Sequence, residues 1–154
     1  CHGSDAGGGP GFPNLRDGAW LWGGEVAQIK QTISTVRMGA MPAWGAVLGD
    51  DGVKHVTAYV MSLSGRKTAG ELDAGKEKFQ QLCVACHGAE ARGNIALGAP
   101  DLTDETWVYG SSRRSIEKSI KEGRTGRMPA FGDFLGEGKV HLLTAYVYSL
   151  SVEN

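Results

Sequence analysis

Residues 13–64 and 100–151 are two copies of one text, aligned without a gap at an offset of 87 with 23 identities in 52 positions. A repeat of that length means one structural unit built twice, and it constrains the fold more than any local pattern does. The shared landmarks are "PNLRDGAWLWG" with "PDLTDETWVYG", "RMGAMPAWG" with "RTGRMPAFG", and "HVTAYVMSLS" with "LLTAYVYSLS". Residues that recur in place are candidates for a shared site, and residues that do not recur are more simply packing or surface.

The copies carry helical periodicity at matching points. Val53, Val56, Val60 and Leu63 fall on one helical face, and Val140, Leu143, Val147 and Leu150 repeat the spacing. Val26, Ile29, Ile33 and Val36 form a second stripe, answered by Ile116 and Ile120, with Ser111 or Ser112 placed to cap the start. The stretch "LDAGKEKFQQLCVAC" predicts a further helix with Phe79 and Leu82 facing inward, and the first copy has no counterpart to it. A chain that lacks this helix leaves an apolar face uncovered, so residues 1–64 are read as a truncated domain, "GRKTAG" and Glu71 (65–71) as a linker, and 72–154 as a second domain. The expected class is all-α.

Composition excludes little. Sixteen basic residues against seventeen acidic ones give no overall field that recommends nucleic acid as a partner. No run reaches the eighteen or so apolar residues of a membrane helix, and no signal peptide is recognisable. Glycine, at 24 residues, suggests long loops wrapped around something other than a large side-chain core.

The chemistry sits in "CVACH", Cys83 to His87. Cys-x-x-Cys-His is the attachment signature of c-type haem: two thiols add to the vinyl groups, and the adjacent histidine is held beneath the iron. The chain opens on Cys1-His2-Gly3, the end of the same phrase, and one more cysteine three positions earlier would complete a second pair. A redox-active disulfide would not need His87 or a second Cys-His. A zinc site would have to draw Cys83, Cys86 and His87 from nearly adjacent positions, whereas structural zinc uses separated pairs.

Haem iron takes a second axial ligand, and Met41 and Met128, each in "MPA", recur about forty residues after His2 and His87. Pro42 and Pro129 bias the preceding methionine toward extended backbone. Met38 and Met61 do not recur and are assigned to packing, and His55 and His141, which also do not recur, to the surface. Pro13 and Pro100 are the candidate carbonyl acceptors for the histidines' second nitrogen. Arg37 and Arg124, four residues before each methionine, are candidates to pair with haem propionates, and Trp20, Trp22, Trp107 and Tyr109 to pack on the ring or hydrogen-bond a propionate.

With these motifs in view, "GAPDLTDETWVYGSS", "GRTGRMPAFG", "KVHLLTAYVYSLS" and "FPNLRDGAWLWGG" together resemble the dihaem subunit of cbb3-type cytochrome c oxidases over essentially the whole chain. The resemblance implies two tandem class I cytochrome c domains, each with one covalent haem c, ligated by His2 and Met41 or by His87 and Met128, with Cys1, Cys83 and Cys86 as attachment points. It implies a first and last helix that cross closely, a role for Gly75, Phe79 and Tyr146 in the second half. It also implies the periplasmic side of the bacterial inner membrane, an N-terminal anchor outside this chain, and delivery of electrons from a soluble donor cytochrome c to the catalytic subunit beside a monohaem subunit. The protein would catalyse nothing alone. A free periplasmic dihaem carrier and a dihaem peroxidase are the alternatives; the peroxidase needs an open iron position that two "MPA" loops argue against. Gas or redox sensing would need one methionine that a ligand readily displaces, and no residue singles one out.

Overall fold

The computed structural model describes residues 1–152. The elements are α1 (Val26–Ser34), β1 (Arg37–Met41), α2 (Gly45–Leu63), α3 (Leu72–Leu82), the short α4 (Val84–His87), α5 (Arg113–Glu122), β2 (Arg124–Met128) and α6 (Gly132–Val152). The helices fall where apolar periodicity puts them. Ile29 and Ile33 are buried on α1, Val53, Val56 and Val60 on α2, Phe79 on α3, and Ile116 and Ile120 on α5. Ser112 starts α5 by accepting the backbone N–H of Ser115 at 3.1 Å.

An all-α description omits one element. β1 and β2 form an antiparallel ladder in the register Arg37↔Met128, Gly39↔Gly126, Met41↔Arg124. Each strand ends at the residue before a proline, where the α conformation is sterically disfavoured. The two glycines meet at its centre, where a side chain on Gly39 would lie 3.6 Å from the Trp22 ring and one on Gly126 3.4 Å from the Tyr109 hydroxyl. The partner strands lie far apart in sequence, so no local pattern announces their pairing.

The ladder is a crossing point, and the packing units are not the sequence halves 1–64 and 72–154. Helix α2 leaves the first repeat and packs on α3 and α5 of the second, while α6 returns to pack on α1 of the first. One apolar cluster joins Val53, Val56, Val60 and Met61 of α2 to Phe79, Ala91, Ile116 and Ile120. The other joins Ile29 and Ile33 of α1 to Val140 and Val147 of α6. Across the connection at 64–71, α2 and α3 close as a helical hairpin. That connection is pinned: the Thr68 hydroxyl donates to the Ala58 carbonyl at 3.3 Å, Arg113 Nη2 to that of Ala69 at 3.1 Å, and Arg66 Nη1 to that of Ser111.

The α2–α3 crossing is the close helix contact expected of the first and last helices, but Tyr59 makes it instead of Tyr146. A Cβ on Gly75 would lie 2.2 Å from the His55 carbonyl oxygen and 2.8 Å from the Tyr59 Cβ, so only glycine admits this approach. The Tyr59 and Phe79 rings pack with centroids 5.4 Å apart, whereas Tyr146 on α6 is 59% exposed and Leu142 70%. Two further expectations change. His55 is half-buried at the crossing, and Met38, on the outward face of β1, is exposed instead of packing; Met61 is buried as expected.

Candidate haem-binding sites

Helix α3 ends at Leu82, and the next turn, α4, closes with the His87 N–H donating to the Cys83 carbonyl at 2.9 Å. That turn brings Cys83 and His87 onto one side. Cys83 is half-buried, Cys86 exposed and His87 buried, and all three cysteines are unbridged. Burial pushes the Cys83 thiol up to about 11, with the neighbouring Cys86 adding to the rise. Burial also lowers the affinity of His87 for a second proton, opposed by its contact with the Pro100 carbonyl.

That contact decides the chemistry of the ring. His87 Nδ1 lies 3.1 Å from the Pro100 oxygen, and His2 Nδ1 lies 2.8 Å from the Pro13 oxygen. A carbonyl only accepts, so each Nδ1 carries the proton and each Nε2 keeps its lone pair for a metal. Both proline carbonyls are held by the same device. Gly8 and Gly93, at φ +78° and +81°, let the loop fold so tightly that an added Cβ would sit 2.8 Å from the Pro13 carbonyl carbon and 2.6 Å from that of Pro100. Their N–H groups donate to the carbonyls of His2 and His87 at 2.8 and 2.9 Å, so each histidine is tied at backbone and ring.

The methionines land across the repeat boundary. Met41 packs against the cluster that holds Phe79, with Cys83, Val84 and Trp107 alongside, and Met128 packs against Ile29 and Ile33 with Leu15 and Trp20. Each loop exit is fixed by the other copy's helix: Trp44 donates its N–H to the Ile120 carbonyl and Phe131 to that of Ile33, both at 2.9 Å. The resemblance implied His2 with Met41 and His87 with Met128, whereas Met41 packs in the unit that holds Cys83 and Val84, and Met128 in the unit that holds Leu15 and Trp20.

Trp20 and Trp107 pack on the two clusters as counterparts. Arg37 and Arg124 are engaged by protein groups. Arg37 lies 5.0 Å over the Trp22 ring and donates from Nε to the Thr32 hydroxyl at 3.1 Å; Arg124 lies 4.6 Å over Tyr109 and donates from Nε to the Ser119 hydroxyl at 2.9 Å. The hydroxyl partners went unnoticed in the sequence, although Thr32 and Ser119 correspond at the repeat offset of 87.

The donor set suits a covalently attached haem c. It offers two neighbouring thiols, an imidazole whose Nε2 is left free by its own hydrogen bond, and a thioether in the same apolar unit. The first site offers one thiol, Cys1, and the imidazole of His2 with its Nε2 likewise left free. Among the described residues no three His, Cys, Asp or Glu side chains converge as a metal cluster. Nor is any described helix long and apolar enough to cross a membrane.

The sequence model of the family described as cytochrome c oxidase, cbb3-type, subunit III matches residues 1–60 and 70–147. The chain is 45% identical to the cbb3-type cytochrome c oxidase subunit CcoP of Rubrivivax gelatinosus, over 98% of its own length and 50% of that protein. It is 42% identical to the subunit FixP of Azorhizobium caulinodans, over 97% of its own length and 55% of the relative. For the FixP of Bradyrhizobium diazoefficiens the figures are 43%, 97% and 56%. The chain thus spans about half the length of these curated relatives.

Proposed function

Because this chain belongs to the subunit III family of cbb3-type cytochrome c oxidases, we propose that it carries two covalent haem c groups and relays single electrons. The electrons come from a soluble donor cytochrome c and go to the oxygen-reducing catalytic subunit, with the monohaem subunit as a neighbour. The site is the periplasmic side of the bacterial inner membrane, and the anchor lies in a part of the protein outside residues 1–154. The observation that carries this reading is the duplicated histidine support, Nδ1 to a proline carbonyl at 2.8 and 3.1 Å in the two copies. It prepares two imidazoles as iron ligands.

The group itself supplies a ferric–ferrous couple. The chain's residues do the rest. Cys83 and Cys86 would attach one haem and Cys1 would contribute to attaching the other. His87 with Met41, and His2 with Met128, would hold the two irons and leave no coordination site for a substrate. A thioether ligand raises the reduction potential relative to a second imidazole, as an electron relay toward oxygen requires. Trp107 and Trp20 exclude water from the two sites. Arg37 and Arg124 would reach propionates through Nη groups, since both Nε atoms are engaged and Arg37 Nη2 also donates to Gln31 at 3.0 Å.

A free dihaem carrier would use the same sites, and family membership favours the oxidase subunit over it. Full-length protein matured with its haem-loading machinery tests the reading. Intact mass and a pyridine haemochrome spectrum are expected to give two haems per chain, and rapid mixing of the reduced protein with carbon monoxide to give no fast binding. One haem per chain, or fast binding at either iron, contradicts it.

A further inference from the structure

The two arginines before the methionines sit in a repeated three-part arrangement: Thr32–Arg37–Trp22 and Ser119–Arg124–Tyr109. All three members correspond at the same offset, and the two that differ change only from Thr to Ser and from Trp to Tyr. Duplicated geometry with conservative exchanges marks a position under one physical demand.

The ladder register says which ligand that demand serves. Along its own strand, Arg124 is four residues from Met128, about 13 Å at a strand rise of ~3.3 Å per residue. Across the ladder it is the direct partner of Met41, and Arg37 is the direct partner of Met128. Side chains directly opposite in an antiparallel pair have Cβ atoms only about 5 Å apart. Alternation puts Arg37, Gly39 and Met41 of β1, and Arg124, Gly126 and Met128 of β2, on the partly buried face. Each arginine therefore lies beside the methionine of the other copy.

Its anchors belong to that methionine's unit as well. Ser119 is on α5, whose Ile116 and Ile120 are in the cluster that Met41 packs against; Thr32 is on α1, whose Ile29 and Ile33 pack against Met128. We propose that Ser119–Arg124–Tyr109 is a positioning clamp for Met41, and Thr32–Arg37–Trp22 one for Met128. Each sets, across the ladder, how firmly the thioether is held on its iron. The guanidinium is fixed by a hydroxyl at Nε and an aromatic face below, so the arginine's own strand cannot slide or lift without breaking a charge-assisted hydrogen bond and a cation–π contact, and the methionine's strand, laddered to it, is held with it. The clamp rests on both methionines being iron ligands.

The test reads one methionine at a time. In a Met128→His background the methionine-to-iron charge-transfer band of the ferric protein reports Met41 alone, and in a Met41→His background it reports Met128. Imidazole is titrated against the band. Ser119→Ala is expected to lower the imidazole concentration that displaces Met41 about fivefold, the effect of one lost hydrogen bond, and to leave Met128 unchanged. Thr32→Val does the reverse, and Ser119→Thr, which restores the first copy's hydroxyl, returns the original value. If Ser119→Ala loosens Met128, or both methionines equally, or neither, the clamp is refuted. A shift with Arg124→Lys but none with Ser119→Ala would also refute it, placing the arginine's role in its charge toward a propionate. The band follows its methionine whichever histidine lies opposite, so failure of the clamp is distinct from failure of the crossed pairing.

Discussion

Replacing Tyr59 by alanine distinguishes exchanged helices from sequential domains, because Tyr59 and Tyr146 occupy the same position in the two repeats. Tyr59 is half-buried at the α2–α3 crossing and packs on Phe79, which is 1% exposed, at a ring separation of 5.4 Å. Truncating a fully buried aromatic costs about 3–5 kcal/mol, so a half-buried one costs about 2. The lost ring–ring contact adds about 0.5–1 kcal/mol, for a total near ~2.5 kcal/mol. At about 2–4 °C per kcal/mol for a chain of this size, the unit around His87 should melt roughly 5–10 °C lower. Tyr146 is 59% exposed, and its truncation should leave that unit within about 0.5 kcal/mol of the original. The assay is thermal unfolding followed at the visible band of the haem held by Cys83 and Cys86. If Tyr146→Ala weakens that haem's surroundings as much as Tyr59→Ala or more, α2 and α6 are not exchanged.

Four further outcomes follow from the geometry. Gly93→Ala forces a Cβ to within 2.6 Å of the Pro100 carbonyl carbon at a φ of +81°, costing at least about 1–2 kcal/mol; because the Pro100 contact raises the His87 pKa, its loss should lower it further, as NMR titration of the haem-free protein would show. Cys83 titrates near 11 in the fold against an ordinary 9.0, so its thiolate at pH 8 is roughly a hundredfold scarcer than that of an ordinary thiol. Mass-resolved alkylation of the haem-free protein should modify exposed Cys1 and Cys86 well before Cys83. The same raised value means that the fold favours the protonated thiol. Its contribution to stability is complete below about pH 9 and disappears as pH rises through 11, visible as a falling midpoint in denaturant. Ser112→Ala removes the cap of α5 and should cost about 1 kcal/mol in denaturant unfolding.

Local chemistry was legible in the sequence wherever it recurred. The pairing of His2 and His87 with Pro13 and Pro100, the burial of Val53, Val56 and Val60, and the start of α5 at Ser112 follow from motif, periodicity and capping, which act over a few residues. What acts between the copies was not legible. The corresponding helices α2 and α6 share the same apolar spacing, and periodicity cannot say which copy each docks on. In the structure α2 folds back on α3, where Gly75 admits Tyr59. The β1–β2 ladder escaped for the same reason, since strands of five residues interrupted by Gly39 and Gly126 carry no alternation of their own.

Crossed axial ligation is tested most directly in the reduced protein carrying methyl-labelled methionine, by nuclear Overhauser contacts between each shifted methionine methyl and the meso protons of an assigned haem. The methyl that vanishes in Met41→Leu should contact the haem whose thioether bonds go to Cys83 and Cys86, and the methyl that vanishes in Met128→Leu should contact the haem beside His2. Contacts that join Met128 to the Cys83–Cys86 haem would contradict it.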